Sequence, residues 1–196
     1  MTDFIRRNLV LVCTFCLISC GDVPLQTQTP ELTYSHLGSF RLDVSEIQIV
    51  NKFVPKMSLP NIEHLMPLAP ALAAKSWAED RLRKEGGSGR RAIFTILDAS
   101  VVKSSLRQKN GVRGTFTIDQ SERYKASVKV RLEIFNLDGS SAGAVEAASW
   151  RSRTVPENIT LNDRDKIWFH LTEAVINELN TELERSIPKF LNDFLR

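Results

Sequence analysis

The feature that most constrains the fold is a regular stripe of apolar residues near the end of the chain. Its members recur at steps of three and four: Trp168, Leu171, Val175, Leu179, Leu183 and Ile187. This spacing places them on one face of a long α-helix, and that face must be buried against another layer. Thr160 and Asp163 have the spacing of a capping box and predict where the helix begins. Pro188 should kink or restart the helix, because proline removes a backbone donor.

Two segments in the middle of the chain have the composition of β-strands. From Tyr124 to Ile134, apolar and polar residues alternate strictly, which predicts a strand with one buried face. The stretch from Ala92 to Val102 is apolar in both phases and predicts an interior strand. Asp98 interrupts it and indicates a bulge or a strand end. Asn110-Gly111 predicts a turn between the two strands.

A further strand is predicted before the long helix. Asp138-Gly139 is a turn signal, and it leads into a strand from about Gly143 to Val155. In this strand we expect Ala148 and Trp150 to face the core.

The first half of the chain combines a strand, a proline-rich loop and a second helix. Alternation over residues 40–44 predicts a strand, and the apolar residues after it continue out of phase, so a bulge near Ser45-Glu46 is expected. Residues 53–70 contain repeated prolines and cannot form one regular element. From Pro70 to about Glu85 an alanine-rich pattern predicts a helix, which the glycine-rich loop 86–89 ends.

The order of these elements predicts the fold class. Strand, helix, strand, strand, strand and long helix give one crossover followed by a meander. We therefore expect an α/β (α+β) protein, a two-layer sandwich with a mixed sheet of about four strands. One crossover helix and one long C-terminal amphipathic helix would cover mainly one face of this sheet.

The N-terminal segment has the layout of a secretory signal. Arg6 and Arg7 precede a short apolar run, Leu9–Ile18, which ends at a small residue and a thiol. Leu17-Ile18-Ser19-Cys20 resembles the lipobox of bacterial lipoproteins. The resemblance implies that Cys20 carries the lipid, that cleavage precedes it, and that this lipid attaches the chain to a membrane.

Domain organisation follows from the same region. Residues 1–19 are expected to be a lipoprotein signal peptide, residues 20–39 a flexible polar tether and residues 40–196 a single α/β domain. In lipoproteins of this kind, Asp directly after the lipidated cysteine favours the inner membrane. Gly21 stands there instead, so the resemblance favours the outer membrane, with the domain facing the periplasm.

Composition excludes several classes of protein. All three cysteines, Cys13, Cys16 and Cys20, lie in or at the end of the signal, so we expect the mature domain to fold without a disulfide. The net charge of +3 is too small to indicate nucleic-acid binding. No nucleophile–base spacing and no zinc motif is present, so we expect no catalysis, no metal and no cofactor. His170 and Glu173 are better read as a solvated helix face than as two metal ligands.

Two surfaces are candidates for binding. The first is the proline-rich loop, whose apolar residues Met57, Leu59, Ile62 and Met66 would dock on a partner or a lipid if they remain exposed. The second is a basic sheet face expected to gather Lys129, Arg131, Arg151 and Arg153 on neighbouring strands. The alternatives are that the loop packs over its own core and that the basic face is ordinary solvated surface.

The whole pattern has a wider resemblance. The lipobox, a first strand followed by Leu59-Pro60, an alanine-rich helix, a strand meander and a terminal helix after Arg151 and Arg153 resemble auxiliary lipoproteins of ABC-type intermembrane lipid transport. The resemblance covers Phe40–Leu195. It implies a non-enzymatic accessory protein with a protein partner in the envelope and a possible lipid ligand. Regulatory or scaffolding lipoproteins of cell-wall synthesis or secretion machinery use similar domains and remain the alternative.

Overall fold

The structure, a computed structural model, describes residues 32–106, 121–156 and 158–196. Cys20, the predicted signal and the predicted Asn110-Gly111 turn lie outside these residues. The strands are β1 (Phe40–Leu42), β2 (Glu46–Asn51), β3 (Leu82–Lys84), β4 (Arg91–Leu106), β5 (Ser121–Phe135) and β6 (Ser141–Pro156). The helices are α1 (Pro70–Arg81) and α2 (Leu161–Phe190), with 3-10 turns at Glu63–Leu65 and Asn192–Phe194. Neither described helix has the length and hydropathy needed to cross a bilayer.

The main sheet has the strand order β2-β4-β5-β6. β2 runs parallel to β4, with α1 in the connection between them, and the two later pairs are antiparallel. β1 and β3 form a separate two-stranded parallel sheet. The predicted α+β class, with a four-stranded mixed sheet and a long C-terminal helix, is confirmed. The register between β4 and β5 shifts between Ile96 and Asp98, as the polar interruption at Asp98 indicated.

The two helices cover one face of the sheet. Every residue of the apolar stripe on α2 is buried, so the predicted helix face is confirmed. Thr160 caps α2 by accepting a hydrogen bond from the backbone N–H of Asp163 at 3.2 Å. α1 is locked to α2 by the Trp77 indole, which donates to Asn180 Oδ1 at 2.8 Å.

Both helix ends differ from the sequence prediction. α2 continues through Pro188 to Phe190 rather than stopping or restarting at the proline. α1 ends at Arg81, and Leu82–Lys84 becomes β3 instead of a last helical turn. Leu82 is nevertheless buried, because β3 pairs with β1 at the edge of the core.

The phase predicted for β6 is wrong. Val145, Ala147 and Ser149 face the helices, whereas Ala148 lies on the other face of the sheet and Trp150 is 58% exposed there. The register explains this, because Ser149 lies opposite the buried Val128 of β5. Small residues in both phases of this strand made the sequence pattern ambiguous.

The N-terminal boundaries also differ from expectation. β1 and β2 belong to different sheets, so the chain changes sheet at Asp43–Ser45 instead of forming a bulge there. Tyr34, placed by prediction in the tether, is 3% exposed. Its backbone N–H donates to Asp80 and its hydroxyl donates to Asn177, at 2.6 and 3.0 Å. Burial, together with the charge of Glu173, raises the pKa of this phenol.

Candidate functional site

The most distinctive surface of the domain is the loop between β2 and α1, residues 52–69, called here the apolar loop. Four of its apolar side chains are exposed: Val54 (80%), Met57 (70%), Leu59 (71%) and Leu65 (56%). Single exposed apolar residues are common on proteins, whereas several in one loop often mark an interaction site.

Only half of the predicted loop residues are accessible. Met57 and Leu59 are exposed as expected, but Ile62 is 1% and Met66 8% exposed, so both belong to the core. The expectation that all four form one binding cluster is therefore wrong for Ile62 and Met66. Periodicity cannot separate the two pairs, because the loop has no regular repeat that assigns faces.

Glu63 holds the loop from inside. Its side chain is buried, and its carboxylate accepts hydrogen bonds from the backbone N–H of Lys56 at 3.2 Å and of Val101 at 3.1 Å. One carboxylate therefore joins the first part of the loop, its last part and β4. Buried charges of this kind persist only when they are hydrogen-bonded. Glu63 is the only acid between Glu46 and Glu79, and this isolation is the one sequence signal for its role.

The loop also completes the edge of β4. β2 pairs with β4 only as far as Ile96, and beyond that point the loop takes the place of a neighbouring strand. Asn61 forms a bridge with Val102, Ile62 N–H donates to Val101 O at 2.9 Å, and Lys103 N–H donates to Pro60 O at 2.8 Å. The exposed side chains are thus carried on backbone that is fixed to the sheet.

The exposed charges carried by the loop itself are of one sign. Lys52 and Lys56 are exposed, whereas Lys75 on the following helix is paired with Glu79 at 3.3 Å. The one acid in this part of the chain, Glu63, is buried with its carboxylate oxygens bonded to backbone N–H groups. The accessible surface contributed by residues 52–69 therefore combines apolar side chains with lysines.

The basic sheet face expected from the sequence is not formed. Lys129 and Arg131 lie on the outer face of the sheet, opposite Ala148 and Glu146. Arg151 and Arg153 lie in the other phase, opposite the buried Ala126 and Tyr124 of β5. Arg151 turns to Glu178 of α2 and forms an ion pair with it. The register between β5 and β6 divides the four cations between two faces of the sheet, contrary to the predicted phase of β6.

The cations that remain on the outer face are neutralised by neighbours. Lys129 Nζ lies 2.9 Å from Glu146, and Arg131 contacts Glu133 at 3.0 Å and Glu146 at 3.1 Å. Hydrogen bonds from Arg131 and Ser141 hold the pKa of Glu133 below its usual range, and those from Lys129 and Arg131 do the same for Glu146. This face therefore offers little free positive charge to an anionic partner.

One exposed aromatic residue interrupts this paired surface. Trp150 lies on the outer face, and the Nζ atom of Lys125 is 5.2 Å from its ring centroid, a cation–π contact. A single ring among paired charges is a smaller apolar surface than the loop.

A polar cluster lies where β4, β5 and the start of α2 meet. The buried Glu122 forms an ion pair with Lys103 and accepts a hydrogen bond from the Tyr124 hydroxyl. The Trp168 ring packs edge-on against Tyr124, with centroids 5.7 Å apart. Burial raises the pKa of Tyr124. Burial also acts to raise the pKa of Glu122. Hydrogen bonds from Lys103 and Tyr124 outweigh this effect, so the pKa of Glu122 lies below its usual value. The arrangement joins sheet and helix.

The residue types that carry chemistry are scattered. His170 lies on the exposed side of α2, as predicted for a solvated face, 3.2 Å from Glu173 and edge-on to the Phe169 ring. Over residues 32–106, 121–156 and 158–196, no three His, Cys, Asp or Glu side chains are grouped so that they could hold a metal ion. The apolar loop is therefore the strongest candidate site in the described part of the chain.

Comparisons with known proteins add little to this geometry. No protein-family model matches the chain, and no curated protein matches it. Among solved structures, it is similar to a minor lipoprotein from Acinetobacter baumannii, with 11% identity and a TM-score of 0.36 over 71% of this chain and 87% of that chain. It is also similar to a PelC dodecamer from Paraburkholderia phytofirmans, with 17% identity and a TM-score of 0.22 over 72% of this chain and 88% of that chain. Because both TM-scores are low, function has to be inferred from the chain's own residues.

Proposed function

We propose that this protein is a lipid-anchored accessory protein of the bacterial cell envelope that acts by binding and not by catalysis. The observation that carries the proposal is the apolar loop, in which exposed Val54, Met57, Leu59 and Leu65 stand on a backbone fixed by Glu63. A surface that is already ordered loses little conformational entropy when it binds. The lipobox-like sequence ending at Cys20 supplies the anchor.

Within the envelope, we assign the protein to a transport or lipid-trafficking complex at the outer membrane, with its domain in the periplasm. This assignment follows the resemblance of the chain to transport-auxiliary lipoproteins and the presence of Gly21 after Cys20. The alternative is a regulatory or scaffolding role in cell-wall synthesis or secretion. An exposed docking surface is compatible with both roles.

Photo-crosslinking in living cells tests the proposal. A photoreactive amino acid at position 57 should form adducts with an envelope component. The same residue at position 137 should not, although Leu137 is 82% exposed, because it lies on the β5–β6 turn away from the loop. Adducts at position 137 and none at 57 would contradict the proposal.

A further inference from the structure

We propose that the apolar loop inserts into the surface of an anionic lipid bilayer, with Met57 and Leu59 among the acyl chains and Lys52 and Lys56 at the headgroups. The inference rests on the proposed function, since it names what this loop binds. It is carried by the chemistry of the loop, its rigidity and its position relative to the anchor.

The chemistry of the loop matches an interface between headgroups and acyl chains. Its exposed apolar residues Val54, Met57 and Leu59 are separated along the chain by Pro55, Lys56 and Ser58, Lys52 lies just before them, and Leu65 follows after residues 60–64. Lysine can lay its methylene stem along an apolar surface and keep its ammonium group in the headgroup layer. Each such lysine near an anionic surface contributes on the order of 1 kcal/mol. Glu63, the one acid among residues 52–69, is buried, so the loop itself exposes no carboxylate.

The backbone of the loop suits insertion as well. An inserted segment needs its polar backbone groups satisfied by the protein, because hydrocarbon offers them no partner. Here Lys56 N–H is bonded to Glu63, Ser58 N–H to Lys56 O at 2.7 Å, and Asn61 N–H to Ser58 O at 3.0 Å. The N–H groups of Lys56, Ser58 and Asn61, on either side of Met57 and Leu59, therefore have internal partners.

The anchor can reach the same bilayer. Tyr34 fixes the start of the described chain beside Asp80, at the C-terminal end of α1, whereas the loop lies at its N-terminal end. A helix of 12 residues is about 18 Å long. Residues 20–31 can span at most about 40 Å, so a lipid on Cys20 and the loop can occupy one membrane together.

The test uses full-length protein purified from cell membranes. It is reconstituted into vesicles of zwitterionic lipid that contain about 30% anionic lipid. Met57→Cys supplies a thiol for an environment-sensitive fluorophore, because Cys20 is occupied when lipidated. Leu137→Cys is the matched exposed control. We expect the label at position 57 to brighten several-fold and to be quenched by brominated acyl chains, while the label at 137 does neither. Lys52→Gln with Lys56→Gln should reduce the brightening.

Each other outcome is distinct. Equal, unchanged fluorescence at positions 57 and 137 overturns the inference. Brightening at 57 that appears only after envelope proteins are added also overturns it, and assigns the loop to a protein partner while the proposed function stands. If the fluorophore labels Cys20 in the unsubstituted chain, Cys20 has a free thiol. That result contradicts the lipid anchor of the proposed function.

Discussion

At the scale of single residues, Glu63 shows how one buried side chain creates a surface. Its carboxylate accepts hydrogen bonds from two backbone N–H groups. These bonds fix the backbone of the loop, on which Met57 and Leu59 are exposed. Ile62 and Met66, on the same loop, supply the apolar contacts that hold it down. Sequence reasoning grouped these four residues because composition alone does not say which members of an irregular loop are buried.

Glu63→Gln should destabilise the protein, because an amide cannot accept hydrogen bonds at both of its ends. We expect a loss of roughly 1–3 kcal/mol for the unpaired buried group, which lowers the melting temperature by about 2–4 °C for each kcal/mol. Glu79→Gln is the matched control, since Glu79 is exposed and pairs only with Lys75 at 3.3 Å. Equal melting temperatures for the two variants would contradict the role given to Glu63.

The ion pair of Glu122 with Lys103 predicts a dependence of stability on pH. The folded-state pKa of Glu122 lies below its unfolded value of about 4.3. The contribution of ionised Glu122 to the free energy of unfolding is therefore fully present above the unfolded-state pKa. It is lost as the pH falls through the folded-state pKa. The melting temperature of the natural chain should exceed that of Glu122→Gln at pH 7, and the gap should narrow below about pH 4. A gap that stays constant over this range would argue against the ion pair.

At the scale of elements, the regular ones could be predicted and the irregular ones could not. The stripe on α2 and the alternation in β5 repeat often enough to fix their buried faces, and both are confirmed. The buried face of β6 could not be predicted in this way, because alanine and serine occur on both of its faces, and Trp150 was wrongly expected to face the core. Pairing with β5 decides its phase, and pairing between strands is not visible in local sequence.

The face of α2 can be checked by one pair of substitutions. Leu179 is fully buried, and truncating such a side chain typically costs roughly 2–5 kcal/mol. Glu178 is its neighbour on the chain, forms an exposed pair with Arg151, and should contribute at most about 1 kcal/mol. Denaturant unfolding should therefore show a large loss of stability for Leu179→Ala and a small one for Glu178→Ala. Similar losses would mean that the helix is rotated from the face described.

At the scale of the whole molecule, we propose that a lipid on Cys20 anchors a rigid domain that presents its apolar loop. Tyr34, which the sequence prediction placed in the tether, packs against both helices.

Cys20→Ser should abolish labelling by radioactive fatty acid and either release the protein from the membrane fraction or leave the precursor uncleaved. Normal lipid labelling of this variant would remove the anchor from the account.

The central claim is that the apolar loop is covered in the cell, and thiol accessibility measures this most directly. Met57→Cys and Leu137→Cys, both at exposed positions of the isolated domain, are treated with a small maleimide in intact cells and again after extraction in detergent. The account predicts that Cys at 137 reacts equally in both conditions, whereas Cys at 57 reacts at least about fivefold more slowly in cells, a difference of roughly 1 kcal/mol in accessibility. A reaction rate at position 57 that is the same in intact cells as in detergent would contradict it.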